Sequence, residues 1–382
     1  MPWKETDPMC QRTEFVALHR SGLFSLTELC RRFGISRKTG YKWLERFQER
    51  GPEGLQDKSH APRSCPHKTA PEIEQLLLGV RRDHPRWGPK KLLAYAQRRH
   101  PGLALPAAST VGDLLRRGGL IAAKRRRSKW GHPGSVPLVA TAPNQLWCAD
   151  FKGQFKTGDG QYCFPLTVTD AYSRCLLACE AHLSTQTTGA IATFERLFLR
   201  YGLPDAIRTD NGVPFATAAI GGLSQLNLWW TKLGIVHQRI EPGRPQQNGR
   251  HERMHKTLKA EVTKPAQKDL QAQQDRFDAF VREFNLERPH EAIGQRTPAS
   301  LYVPSSRALP PKLPAPEYPE HFQVRLVSGA GTFRLHGWQT HISEVLSGQY
   351  IGLEEVEDGA WTIWFFGREL ARFDQRSGRL YP

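Results

Sequence analysis

Four prolines, Pro310, Pro311, Pro314 and Pro316, stand between Pro304 and Pro319. Proline fixes φ and has no backbone N–H, so a stretch this dense cannot run through a helix or a central strand. It favours an extended spacer, and it divides the chain. The 382 residues also exceed one ordinary core and call for about two to four folding units. Hydrophobic residues make up 39% of the chain, enough to pack those units and to exclude wholesale disorder.

The first unit is expected over residues 11–60. In "SLTELCRRFGISRKTGYKWLERFQERG", Leu26, Leu29 and Phe33 form one apolar face, Gly34 makes a turn, and Ser36 suits the N-cap of a following helix. Tyr41, Leu44 and Phe47 recur every three residues and are expected to pack inward. Arg37, Lys38 and Lys42 then face outward near the start of that helix, where a helix-turn-helix meets DNA bases and phosphates. The plainer alternative is a helical packing module with a solvated basic face. Residues 66–121 repeat the theme. "PEIEQLLLGVRRDHPRWGPKKLLAYAQRRHPG" gives two helices broken at His84-Pro85, and "PAASTVGDLLRRGGL" gives a third ending at Gly118-Gly119. A second helix-turn-helix is expected there. Residues 122–141 form a basic linker in which Lys124, Arg125, Arg126, Arg127 and Lys129 are candidates to track phosphates.

Charge points the same way. The chain carries 54 Lys and Arg against 37 Asp and Glu, a formal net charge of +17. That exceeds the magnitude of about 2–8 that keeps a small domain soluble, and it favours a polyanionic partner, DNA or RNA first. The seven cysteines are scattered without a C-x-x-C pair, which argues against a disulfide framework and a structural zinc cluster. "MPWKETDPMC" lacks a signal-peptide core, and no apolar run is long enough to span a bilayer. The expectation is a soluble cytoplasmic protein with no membrane partner.

Residues 142–303 mix strands and helices. Strands are read in "NQLWCADFKGQF" and "YCFPLTVTDAYSRCLLACEAHL", a helix in "TTGAIATFERLFLRYG", a short strand in "DAIRTDNG", and a helix then a strand in "LNLWWTKLGIVHQRI". Two helical patterns follow Pro245. This order suggests an α/β unit with a mixed sheet flanked by helices. After a proline-rich linker at 304–321, residues 322–382 read as short strands. "QYIGLEEVEDGAWTIWFF" is a hairpin signal around Asp358-Gly359, and a small β-barrel is expected.

Three acids of the α/β unit could assemble a cation site. Asp150 sits in its first strand, Asp210 ends a strand, and Glu252 opens a helix. Hard Mg²⁺ prefers a few carboxylates plus water and phosphate oxygens. Each acid has an ordinary alternative as a cap, turn partner or solvated helix residue. Asp159, Asp170 and Asp205 compete with them on spacing alone. "HERMH", His251 to His255, also fits the H-E-x-x-H zinc-protease pattern. The extended form of that pattern needs Gly at Leu258 and His at Glu261, and it fails at both. His251 and His255 then become helix-face residues, expected near DNA.

The residues Trp147-x-x-Asp150, "TDNGVPF" around Asp210 and "PGRPQQNGRHE" ending at Glu252 resemble the three signatures of the retroviral-integrase-like catalytic core. "TDAYSR", "GLP" before the second acid and "NLERPHEAIGQRTPASLY" after the third extend the likeness. Together with the N-terminal helical units they resemble bacterial insertion-sequence transposases over nearly the whole chain. The resemblance implies an RNase H-like fold, a catalytic and metal-binding triad of Asp150, Asp210 and Glu252, and two Mg²⁺ (or Mn²⁺) ions per site. It implies cleavage and strand transfer on double-stranded DNA, at element ends and in a target, by a homo-oligomer on the bacterial nucleoid. Asn248, Arg250, Arg253 and Lys256, beside Glu252, are candidate phosphate contacts. Two departures stand out. Asp210 and Glu252 are 42 positions apart, longer than is common in such cores, and helix-turn-helix units replace the His-His-Cys-Cys zinc module of retroviral integrases. The rival reading from a binding class is a domesticated transposase that only binds DNA.

Overall fold

The computed structural model describes residues 7–58, 68–121, 140–217, 223–240 and 249–381. The chain divides into two compact units between Thr69 and Ala70.

The first unit holds α1 (Pro8–Arg20), α2 (Leu26–Arg32) and α3 (Arg37–Arg50). Local chemistry fixes each start. Ser25 Oγ accepts the Glu28 N–H at 3.3 Å while the Glu28 carboxylate accepts the Ser25 N–H at 3.0 Å. Gly34, at φ +62°, turns the chain, and Ser36 Oγ caps α3 by accepting the Thr39 N–H at 3.2 Å. Losing one such cap costs about 0.5–2 kcal/mol. The core gathers Phe15, Val16, Leu29, Cys30, Trp43 and Leu55. Tyr41 does not join it and is 63% exposed, contrary to the sequence expectation. A Cβ on Gly40 would stand 2.8 Å from Cys30 Sγ, so α3 touches α2 at Gly40. That contact sets the buried stripe at Gly40, Trp43, Leu44 and Phe47, with Tyr41 turned away. Arg37, Lys38 and Lys42 are exposed.

The second unit opens with α4 (Pro71–Asp83), α5 (Pro89–Arg99) and α6 (Ala108–Arg117), packed around Leu77, Trp87, Leu92, Val111, Leu114 and Leu115. His84 stacks on the Trp87 ring at 3.7 Å. This bundle meets the α/β core through Lys90 Nζ–Glu291 Oε1 at 2.7 Å and an Arg98 donation to Glu287 O at 2.6 Å.

The core is built on a mixed sheet. β1 (Leu146–Phe151) pairs antiparallel with β3 (Tyr162–Asp170) and parallel with β5 (Ala206–Thr209). β4 (Leu176–His182) lies antiparallel on β3, and β6 (Val236–Arg239) parallel on β5. The short β2 (Phe155–Lys156) pairs with the start of β3. Alternation along β1 gives the sheet two apolar faces. Trp147 and Ala149 pack with Phe194, Phe198 and Trp230 from α7 (Thr187–Tyr201) and α8 (Gln225–Lys232). Elsewhere Cys163, Leu176 and Cys179 pack with Met254, Leu258, Phe277 and Phe280 from α9 (Gly249–Glu261) and α10 (Leu270–Arg282).

The proline-rich stretch is extended, but its start is tied to the core. Arg307 donates to Pro204 O at 2.8 Å and to Leu233 O at 3.0 Å, and the Leu203 N–H donates to Arg307 O at 2.7 Å. Beyond it, β7 (Gln323–Leu326), β10 (Tyr350–Glu357), β11 (Ala360–Phe365), β12 (Arg368–Asp374) and β13 (Arg379–Tyr381) form one antiparallel sheet in the order β13-β12-β11-β10-β7. β8 (Thr332–Leu335) and β9 (Trp338–His341) form a separate hairpin. They enclose Phe333, Leu353, Ile363, Phe365 and Phe373, joined by Leu228 of α8. The hairpin at Asp358-Gly359 is present, and among the described residues no pairing closes the strand path into a barrel.

Candidate active site

β1 and β5 run parallel with Trp147 opposite Ile207 and Cys148 opposite Arg208. Carried on by two residues, this register sets Asp150 level with Asp210, just past the end of β5. Asp210 Oδ1 accepts the Gly212 N–H at 3.1 Å, which folds "DNG" into a tight turn. Glu252 is exposed in the first turn of α9, where the helix dipole favours a negative charge. Asp150 senses the other two. The Asp150 carboxyl is pushed up to about 7, first by burial and then by the charge of Asp210, with Glu252 adding to the rise and Lys152 opposing it.

The competing aspartates have structural employment. Asp170 is buried and accepts the Asn144 N–H at 2.8 Å, the Ser173 N–H at 2.7 Å and the Ser173 hydroxyl at 2.6 Å. Asp159 accepts the Thr157 hydroxyl and the Gln161 N–H. Asp205 pairs with Arg307 at 3.3 Å.

His251 and His255 correct the sequence reading. Both are buried, at 2% and 5% exposure, rather than presented to DNA. Spaced by four, they share the face of α9 that lies on the sheet. His251 Nδ1 is 2.9 Å from Thr169 Oγ1, and its Nε2 is 2.8 Å from Thr167 Oγ1. His255 Nε2 is 2.6 Å from Thr167 Oγ1, and its Nδ1 is 3.5 Å from Asp150 Oδ2. Burial lowers both imidazoles, to about 3 and about 2, which leaves them neutral. The signal for these partners lay in "LTVTD": Thr167 and Thr169 alternate onto one sheet face, and a buried pair of hydroxyls needs hydrogen-bond partners. One ligand atom each from Asp150, His251 and His255 lies within 4.8 Å of the others. Both nitrogens of His251 are already bonded to threonine hydroxyls, so the trio reads first as a hydrogen-bonded chain.

Among the candidate DNA contacts, Arg253 and Lys256 are exposed on α9, and Arg250 lies in its first turn. Asn248 and the run Lys124, Arg125, Arg126, Arg127 and Lys129 lie outside the described residues.

Residues 140–245 and 233–298 each match the integrase core domain, residues 11–63 match a helix-turn-helix domain, and residues 39–115 match a homeodomain-like domain. Residues 140–298 are thus similar to the integrase core domain. In organisation it resembles bacterial insertion-sequence transposases. The uncharacterized 39.2 kDa protein of insertion element IS476 from Xanthomonas euvesicatoria is 26% identical over 244 residues, covering 63% of this chain and 67% of that protein. The Gag-Pol polyprotein of baboon endogenous virus is 28% identical over 160 residues, 42% of this chain and 9% of the polyprotein. This chain thus spans about a tenth of such a viral relative. The integrase catalytic core domain of HTLV-2, solved in complex with magnesium, aligns with a TM-score of 0.34 at 17% identity, over 43% of this chain and 99% of that one. No helix among the described residues is long and apolar enough to cross a membrane.

Proposed function

We propose that the chain is a DDE transposase. It binds the terminal repeats of a mobile element, cuts the DNA at the element's 3′ ends and joins those ends to a target. The observation that carries this reading is the coupling of Asp150, Asp210 and Glu252, delivered by β1, the turn after β5 and α9. Burial and two neighbouring acids disfavour the charged form of Asp150, a cost that a cation between them would offset. Three hard oxygen donors on separate elements suit Mg²⁺ or Mn²⁺. Two such ions, when bound, would polarise the scissile phosphate and activate the attacking oxygen.

Asp150, Asp210 and Glu252 would hold the ions. In the first step a water oxygen bonds to phosphorus at the element's end and the P–O3′ bond breaks, leaving a 3′-OH. In the second, that 3′-OH bonds to a target phosphorus and displaces the target's own 3′ oxygen. Arg250, Arg253 and Lys256 would hold the phosphate backbone beside Glu252, aided by Asn248 and the basic segment at 122–141. Residues 11–60, through Arg37, Lys38 and Lys42, and residues 66–121 would read the ends. Two ends must be held together, so the working form is a homo-oligomer on double-stranded DNA.

The test is incubation of the full chain with duplex DNA ending in the inverted repeats that flank its gene. A Mg²⁺-dependent nick leaving a 3′-OH at the repeat boundary supports the reading. Tight, specific binding without cleavage in Mg²⁺ or Mn²⁺ replaces it with the DNA-binding relic.

A further inference from the structure

We propose that Thr169, His251, Thr167 and His255 form a directed chain of hydrogen bonds whose last imidazole faces the Asp150 carboxylate at 3.5 Å and positions it. The proposal rests on the reading of Asp150 as a metal-holding acid, and it assigns roles to two buried histidines that this reading leaves idle.

Proton counting fixes the direction. The Asp150 carboxylate has no proton to give when ionised, so the His255 nitrogen facing it, Nδ1 at 3.5 Å, must carry the hydrogen. A buried neutral imidazole then has only a lone pair at Nε2. The group 2.6 Å from that lone pair is the Thr167 hydroxyl, which must donate. Thr167 has one hydroxyl proton and three acceptors within reach, the others being Asp150 O at 3.1 Å and His251 Nε2 at 2.8 Å. With its proton committed to His255, Thr167 can only accept from His251, so His251 carries its hydrogen on Nε2. His251 Nδ1 is then a lone pair, filled by the Thr169 hydroxyl at 2.9 Å. Every donor points toward Asp150, and each ring has one tautomer.

The purpose follows from where Asp150 stands. Its side chain lies at the end of β1, next to two acids that repel it. A carboxylate in that position turns away from its neighbours unless something holds it. The His255 N–H attracts one oxygen, Oδ2, and so fixes how the carboxylate is turned. The ring cannot rotate, because Thr167 grips its far side and His251 packs edge-on at 4.6 Å between ring centroids. His255 is thus a positioning residue, supported from β3 by two threonines on one face. Partners that orient a metal-holding group are typically worth about 10–100-fold in metal affinity or activity.

Two measurements test this on the full chain. The first is ¹⁵N NMR of histidine-labelled, metal-free protein at about pH 9, well above the value of about 7 for Asp150, so that its carboxylate is ionised; it reads ring tautomers directly. The expected pattern is hydrogen on Nδ1 of His255 and on Nε2 of His251; the opposite tautomers overturn the chain. The second is the Mg²⁺ concentration giving half-maximal DNA cleavage. His255→Leu, which fills the space without a donor, and Thr167→Val, which keeps the shape without the hydroxyl, should each raise it about 10–100-fold. His255→Asn, whose amide can place a donor where Nδ1 stood, should recover most of the loss. A wild-type Mg²⁺ requirement in His255→Leu, or equal loss in the Asn and Leu variants, overturns the proposal. So does stoichiometric Zn²⁺ uptake that His251→Leu abolishes, which would make the trio a metal site. If His255→Leu does not fold, Thr167→Val and the tautomers still decide. Asp150→Asn separates the two layers. Wild-type cleavage in that variant sinks the functional reading itself. An inactive Asp150→Asn beside an unaffected His255→Leu sinks only the positioning role.

Discussion

The indole Nε1 of Trp147 donates to Asn144 Oδ1 at 3.0 Å, inside the core and three residues ahead of Asp150. Trp147 is fully buried, so without this acceptor its N–H would be stranded. Asn144 also accepts the Tyr302 hydroxyl at 2.8 Å and donates its amide to Val303 O at 2.8 Å, pinning the start of the proline-rich stretch to the root of β1.

Asn144→Ala removes all three bonds and leaves the buried Trp147 donor and the half-buried Tyr302 donor unsatisfied. It is expected to destabilise the protein by about 2–6 kcal/mol, at about 1–3 kcal/mol per stranded group. Urea unfolding measures this. A change below about 0.5 kcal/mol would show that the pin is dispensable.

Arg288 is buried between Glu261 and Glu283 and faces the rings of Phe284 and Trp87 at 5.8 and 5.9 Å. Arg288→Ala leaves two part-buried carboxylates without their cation and is expected to cost about 3–5 kcal/mol. Because Trp87 belongs to the α4–α6 bundle, proteolysis between that bundle and the core should rise as well. Unchanged thermal unfolding would contradict this.

Four histidines, His251 and His255 buried and His237 and His290 half-buried, set the acid limit. Burial is the first cause that lowers His237, His251 and His290 to about 3 and His255 to about 2. Their unfolded values lie near 6.5, so the unfolded chain binds more protons between those limits. Stability from these groups is fully present above about pH 6.5 and is lost as pH falls toward 3 and 2. The metal-free protein should therefore unfold on acidification with uptake of up to about four protons. His237→Gln, which keeps a polar group beside Thr209, should remove about one proton from that uptake. A flat stability profile from pH 7 to 4 would contradict the assignment.

Much of this was legible in the sequence where a rule is local. The cap at Ser36, the turn at Gly34, the hairpin at Asp358-Gly359 and the strand carrying Asp150 all depend on a few neighbouring residues. What stayed hidden depends on partners far along the chain. Tyr41 faces outward because Gly40 lets α3 touch α2, a contact that a three-residue spacing cannot show. The burial of His251 and His255 depends on Thr167 and Thr169, more than 80 positions earlier. The anchoring of the proline-rich stretch depends on single residues, Asn144 and Arg307, that carry no pattern of their own.

DNA recognition by α3 is testable through salt. Arg37, Lys38 and Lys42 are exposed on that helix. Replacing all three by Ala should weaken binding and lower the slope of log K against log salt by about 0.9 for each lost phosphate contact. An unchanged slope would place the contacts elsewhere.

The central claim is that Asp150, Asp210 and Glu252 together cut DNA. The direct measurement is Mg²⁺-dependent cleavage of terminal-repeat DNA by Asp150→Asn, with DNA binding followed in parallel. The account expects cleavage to fall by at least about 1,000-fold, the loss of roughly 4 kcal/mol of transition-state stabilisation, while the affinity for DNA stays within about threefold of wild type. Cleavage at the wild-type rate would contradict it.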